Sequence, residues 1–176
     1  MPMNEFSRFC SSSLDTSGIG LWTDYPWNAG LLPEGVRLIG WARPEVVAFC
    51  FLEGREDAVF LMDLTAVPEE RLRPVAGSFP EFLGLLVACG TVGSILKLLF
   101  PSSLFPEDAA AILTPKQQSI LRALRNTYAP PAISDPQGYL MDLQSKFSPE
   151  GPSVPQENVP DPSAKKSSKK KRKKHG

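Results

Sequence analysis

Between Val36 and Cys89 the chain reads VRLIGWAR, then EVVAFCFLEGREDAVFLMDL, then RLRPVAGSFPEFLGLLVAC, and almost every residue able to build a core lies here or just after. Val46 to Leu52 is a nearly continuous β-branched and aromatic run, the pattern of a strand at a sheet centre. Glu53-Gly54-Arg55-Glu56-Asp57 follows, and Ala58 to Leu64 returns as a second apolar run. Two such runs joined by five residues that include glycine predict a β-hairpin. Val36 to Trp41 alternates as a further strand until Arg43-Pro44, where proline removes a ladder donor. RLRPV, ending at Val75, suits a short additional strand.

Helix starts are marked chemically. Ser78 and Glu81 have capping-box spacing with Pro80 in the first turn, and Phe79, Phe82, Leu83, Leu86 and Val87 form an apolar stripe that Gly90 ends. Thr91 caps a second helix to about Phe100, stopped by Pro101. Thr114-Pro115-x-Gln117 repeats the signature and opens a helix to about Asn126, with Ile120, Leu121 and Leu124 as its apolar side. The expected fold is α+β over residues 20–128: an antiparallel or mixed sheet with helices on one face.

The flanks read as less ordered. Residues 1–19 are expected to be a weakly ordered segment, although Phe6 and Phe9 share one face of a short helix. From Leu21 to Gly35, Trp22, Tyr25 and Trp27 sit in an irregular, proline-containing stretch. Such aromatics either cover the sheet or form a recognition surface. Residues 129–147 read as a linker with one short helix from Tyr139, and 148–176 as a disordered tail, Pro/Ser-rich and then Lys-rich.

The formal net charge of zero hides a division. Lys165, Lys166, Lys169, Lys170, Lys171, Arg172, Lys173 and Lys174 carry eight of the 19 basic side chains, leaving 11 basic against 19 acidic elsewhere, a net of −8. An acidic body can steer toward a basic partner, and Glu53, Glu56, Asp57 and Asp63 are the expected acidic patch around the hairpin. The tail offers weak, non-specific attraction to nucleic acid or another polyanion, with no aromatic for base stacking.

Enzymatic motifs are lacking. The one histidine, His175, lies in the lysine tail, which argues against a histidine triad or a multi-histidine metal site. There is no phosphate loop, dinucleotide fingerprint or zinc spacing, so no catalytic residue, cofactor or metal is expected. Cys50 and Cys89 lie in apolar runs, and with Cys10 they make an odd, widely spaced set that suits reduced thiols in a cytoplasmic protein. No signal-peptide pattern and no apolar run of membrane-spanning length appears, so no membrane span is expected.

LIGWARPEVVAFCF, EDAVFLMDL and VAGSFPEFLGLLVACG, in this order, resemble the SMI1/KNR4 (SUKH) superfamily, where strands patterned "fG…vvaF…g…dsVYllD" precede a helix opened by "vagSFeeFL". The family's N-terminal helix and Gly-Gly turn have no evident counterpart before Val36. The resemblance implies an α+β binding domain without catalytic residues, of which bacterial members act largely as immunity proteins against toxins, often nucleases, and fungal members as regulatory scaffolds. The expected function is therefore a non-enzymatic protein-binding module, immunity-like, masking a basic toxin domain. The alternative is a nucleic-acid or ribosome-associated accessory protein anchored by the basic tail.

Overall fold

The computed structural model describes residues 4–101 and 112–147. Four strands, β1 (Val36–Arg43), β2 (Val47–Leu52), β3 (Arg55–Asp63) and β4 (Leu72–Ala76), form one antiparallel sheet in the order β1-β2-β3-β4. The sheet is thus antiparallel, the first of the two expected alternatives. The β2–β3 hairpin forms where the sequence places it, with Gly54 at φ 79° in the turn and Leu52 paired to Arg55. The β1–β2 turn puts Glu45 at φ 61°, a left-handed conformation in a side-chain-bearing residue that follows proline.

Alternation divides the sheet into two faces. Val47, Phe49, Phe51, Val59 and Leu61 point into the principal core, which the helices cover. Cys50, Leu52, Ala58, Phe60 and Met62 point the other way, against Leu32, Val36, Leu64, Leu72 and Phe147. All six residues of β2 are buried, as its uninterrupted apolar run implies.

Helix α2 (Phe79–Cys89) is capped by Ser78, which accepts from the Glu81 amide, and α3 (Val92–Leu99) by Thr91, which accepts from Ser94. Helix α4 (Pro115–Tyr128) has the full reciprocal capping box of Thr114 and Gln117. Phe82 is fully buried against Phe49, ring centroids 4.8 Å apart.

Both flanks depart from expectation. Residues 1–19 contain α1 (Glu5–Cys10), a six-residue helix capped by Asn4. Phe6 meets Phe51 and Phe79 edge-on at 5.0 and 5.2 Å, and Phe9 meets Phe79 at 5.4 Å. Arg8 donates to the Thr127 carbonyl at 3.3 Å, tying α1 to the end of α4. Far from being weakly ordered, the described part of this segment is core, because two buried aromatic rings outweigh the weak propensity of one short helix.

Residues 129–147 are likewise more than a linker. Helix α5 (Pro136–Lys146) begins three residues earlier than the expected Tyr139, with Asp135 as its cap, and buries Leu140 and Leu143. The Tyr139 hydroxyl accepts from the Gly77 amide at 3.0 Å and donates to Glu81 at 3.1 Å, pinning α5 to the start of α2. Burial, opposed by the Gly77 bond and reinforced by Glu81, pushes the Tyr139 phenol up to about 12. The chain between α4 and α5 crosses α2 at Gly84, where an added methyl would collide with the Pro131 carbonyl oxygen. Gly84→Ala gains about 1 kcal/mol of helix propensity, but overpacking against backbone costs about 1–3 kcal/mol. A net loss of stability in urea melts is expected, with faster amide exchange around Ile133. Equal or greater stability in the variant would mean that the crossing segment gives way freely.

The expected tail, 148–176, lies outside the described residues. Among the described residues no single helix is long and apolar enough to cross a membrane; α2 and α3 meet at a 99° bend.

Candidate functional site: the acidic hairpin tip

The β2–β3 turn is short, so its side chains diverge into solvent, and Glu53, Gly54, Arg55, Glu56 and Asp57 are all exposed. Arg55 is the one cation in this run. Its guanidinium lies 5.4 Å from the Phe147 ring centroid, and Phe147 in turn packs edge-on against Phe60 at 5.6 Å. Arg55 is therefore drawn toward the second sheet face, and among the described residues Glu53, Glu56 and Asp57 carry no ion pair. Three carboxylates are left uncompensated at the tip.

The backbone at Glu53 and the carboxylate of Glu56 are held locally. The Glu53 amide donates to the Gly35 carbonyl at 2.8 Å, holding the segment before β1 against the turn. Glu56 accepts from the Gly54 amide at 3.1 Å. Hydrogen bonds from its own amide and that of Gly54 hold the Glu56 carboxyl below its ordinary range, so the tip keeps this charge as pH falls further than a free glutamate would.

Asp63 is not part of the patch. It stands six residues along β3 from Asp57, roughly 20 Å at the usual rise. Its carboxylate accepts from the Thr65 amide at 2.8 Å and the Thr65 hydroxyl at 2.6 Å, which closes the turn after β3. Only six residues apart in sequence, the two acids are separated because a strand extends.

The aromatic set also divides. Trp22 forms a backbone bridge with Trp41, with bonds of 2.9 and 2.8 Å, and its side chain is 42% exposed. Trp27 lies edge-on to the fully buried Trp41 at 6.0 Å and covers it. Tyr25 is half-buried between them in sequence. The cover reading suits Trp27, whereas Trp22 is available at the surface. Trp41 pairs with Ala48, four residues along β2 from the tip-proximal Leu52, about 13 Å away. The aromatic and acidic groups thus occupy opposite ends of the sheet and form no single surface.

No group of three or more His, Cys, Asp or Glu that could hold a metal ion occurs among the described residues. Cys50 is fully buried and Cys89 partly so, and burial pushes their thiols up to about 12 and about 11, which disfavours the reactive thiolate. The Lys165–Lys174 cluster and His175 lie outside the described residues. Sequence reading missed the Arg55–Phe147 contact, which isolates the acids, and the Tyr139 latch. Both join residues distant in the chain and leave no local pattern.

Protein-family models, curated proteins and solved structures were each compared with this chain, and none matches.

Proposed function

We propose that this chain is a non-enzymatic protein-binding module, a divergent SMI1/KNR4-type domain that neutralises a basic, nuclease-type toxin in the cytoplasm of its own cell. The observation that carries the reading is the hairpin tip, where three carboxylates project without a countercharge among the described residues. Nuclease surfaces are basic because they bind phosphates, so an acidic projection can occupy such a surface and mask it without turnover. The order of β1 to β4 followed by the Ser78-capped α2 supports the family reading. The rival reading, a nucleic-acid or ribosome-associated accessory protein, places the binding in the lysine tail.

Co-expression with a nuclease toxin encoded beside the gene tests the proposal, with cell survival and direct binding as readouts. Reversing Glu53, Glu56 and Asp57 to Lys should slow association about tenfold or more at low salt, with a smaller effect at high salt. Folding should change by no more than about 0.5 kcal/mol, since these charges are exposed. Protection that survives the triple reversal but vanishes when residues 163–176 are removed would overturn the reading in favour of the tail.

A further inference from the structure

Helix α5 packs on edge strand β4 and joins the two sides of the sheet. Near its start Leu140 sits in the principal core, beside the Tyr139 bonds to Gly77 and Glu81. At its end Phe147 belongs to the second-face cluster, edge-on to Phe60 at 5.6 Å. The helix thus clasps the sheet round its β4 margin, and its last aromatic ring lies against Arg55 of the β2–β3 hairpin, 5.4 Å from the guanidinium carbon.

Arg55 meets that ring because of an irregularity in the strand pairing. Cys50 pairs with Phe60, so a regular ladder would set Ala58 opposite Leu52; the ladder slips and sets Arg55 there instead. Residues directly opposite share a face, so Arg55 is delivered to the second face with Leu52, Phe60 and Phe147. Glu53, Glu56 and Asp57 stand only one or two positions from it in sequence. An exposed arginine gains similar, small amounts from an aromatic ring and from a carboxylate. Which of them it takes therefore depends on whether Phe147 is in place. Lys146, the other cation at this end of α5, is held by Asp142 at 2.6 Å.

We propose that the docking of α5 sets the charge of the hairpin tip. With α5 docked, Phe147 holds Arg55 on the second face and away from the acids. With the end of α5 released, Arg55 loses its ring and turns to Glu53, Glu56 and Asp57, cancelling one of their three negative charges. By linkage, a cation that prefers the uncompensated tip also holds α5 in its seat, and whatever lifts α5 weakens the tip. The use of this switch to a partner rests on the toxin-masking reading. The switch itself does not, and it is tested without a partner, so either can fail alone.

The test follows the side-chain carboxyl carbons of Glu53, Glu56 and Asp57 by NMR through an acid titration of the full-length chain. Phe147→Leu keeps an apolar side chain against Phe60 but removes the ring face. At least one of the three carboxyls should then titrate about half a unit lower, because a nearby cation favours the ionised form. F147Y, which keeps the ring, should titrate as the native chain does. Adding R55Q should abolish the fall in F147L, whereas a fall caused by the lysine tail would persist. L140N/L143N, which removes both buried anchors of α5, should reproduce F147L while α5 amides exchange faster. The amide spectrum checks folding, and if this last variant does not fold, F147L with and without R55Q decides alone. Values unchanged in F147L, a fall that persists with R55Q, equal falls in F147L and F147Y, or a released α5 that leaves the titration unaltered would overturn the proposal.

Discussion

Phe82→Ala should lower the unfolding free energy by roughly 3–5 kcal/mol, a large part of the stability of a chain this size. Phe82 is fully buried on the face of α2 that meets the sheet, 4.8 Å from Phe49 and 6.2 Å from Phe79. Truncation removes the transfer free energy of the ring and leaves a cavity between helix and sheet. Leu83, Leu85 and Leu86 are also fully buried, so little around it is free to collapse. Urea denaturation with an unchanged slope would report this directly. A loss under about 1 kcal/mol would mean that α2 does not seat as described.

Removing the first twelve residues should be nearly as damaging. The deletion takes out Phe6 and Phe9, each 5% exposed, and the Arg8–Thr127 bond. Fully burying one such side chain is worth about 1.5–3 kcal/mol, so two give about 3–6 kcal/mol. The two rings share Phe79 as a neighbour, so their effects should not simply add. Phe79 and Phe51 would gain access to water, and thermal melts should show the shortened chain clearly destabilised. An unchanged melting temperature would restore the expectation that this segment is weakly ordered.

The contrast between these two experiments shows what the sequence reveals. Ser78, Thr91 and Thr114 announce their helices because a cap is a contact between residues three apart, and the β2–β3 hairpin is legible for the same reason. Phe6 and Tyr139 are opaque because their partners, Phe79 and Glu81, lie 73 and 58 positions away. At the site, the acidic turn is visible as composition, but its lack of compensation depends on Arg55 reaching Phe147, 92 positions distant. Asp63 misleads in the opposite sense, since closeness in a strand's sequence measures length rather than proximity.

Both margins of the sheet are already occupied or blunted. On β4, Pro74 removes one amide from the outer strand, and on β1 the Trp22 backbone takes the amide and carbonyl of Trp41. Exposed strand edges are where chains recruit one another into growing assemblies, and proline and covering segments are common means of preventing it. A foreign strand could not extend this sheet at Trp41 without displacing Trp22, nor pair with an amide that Pro74 lacks. Recognition of any partner is thereby directed to side chains at turns and loops, and the folded chain should resist sheet-to-sheet polymerisation even when concentrated.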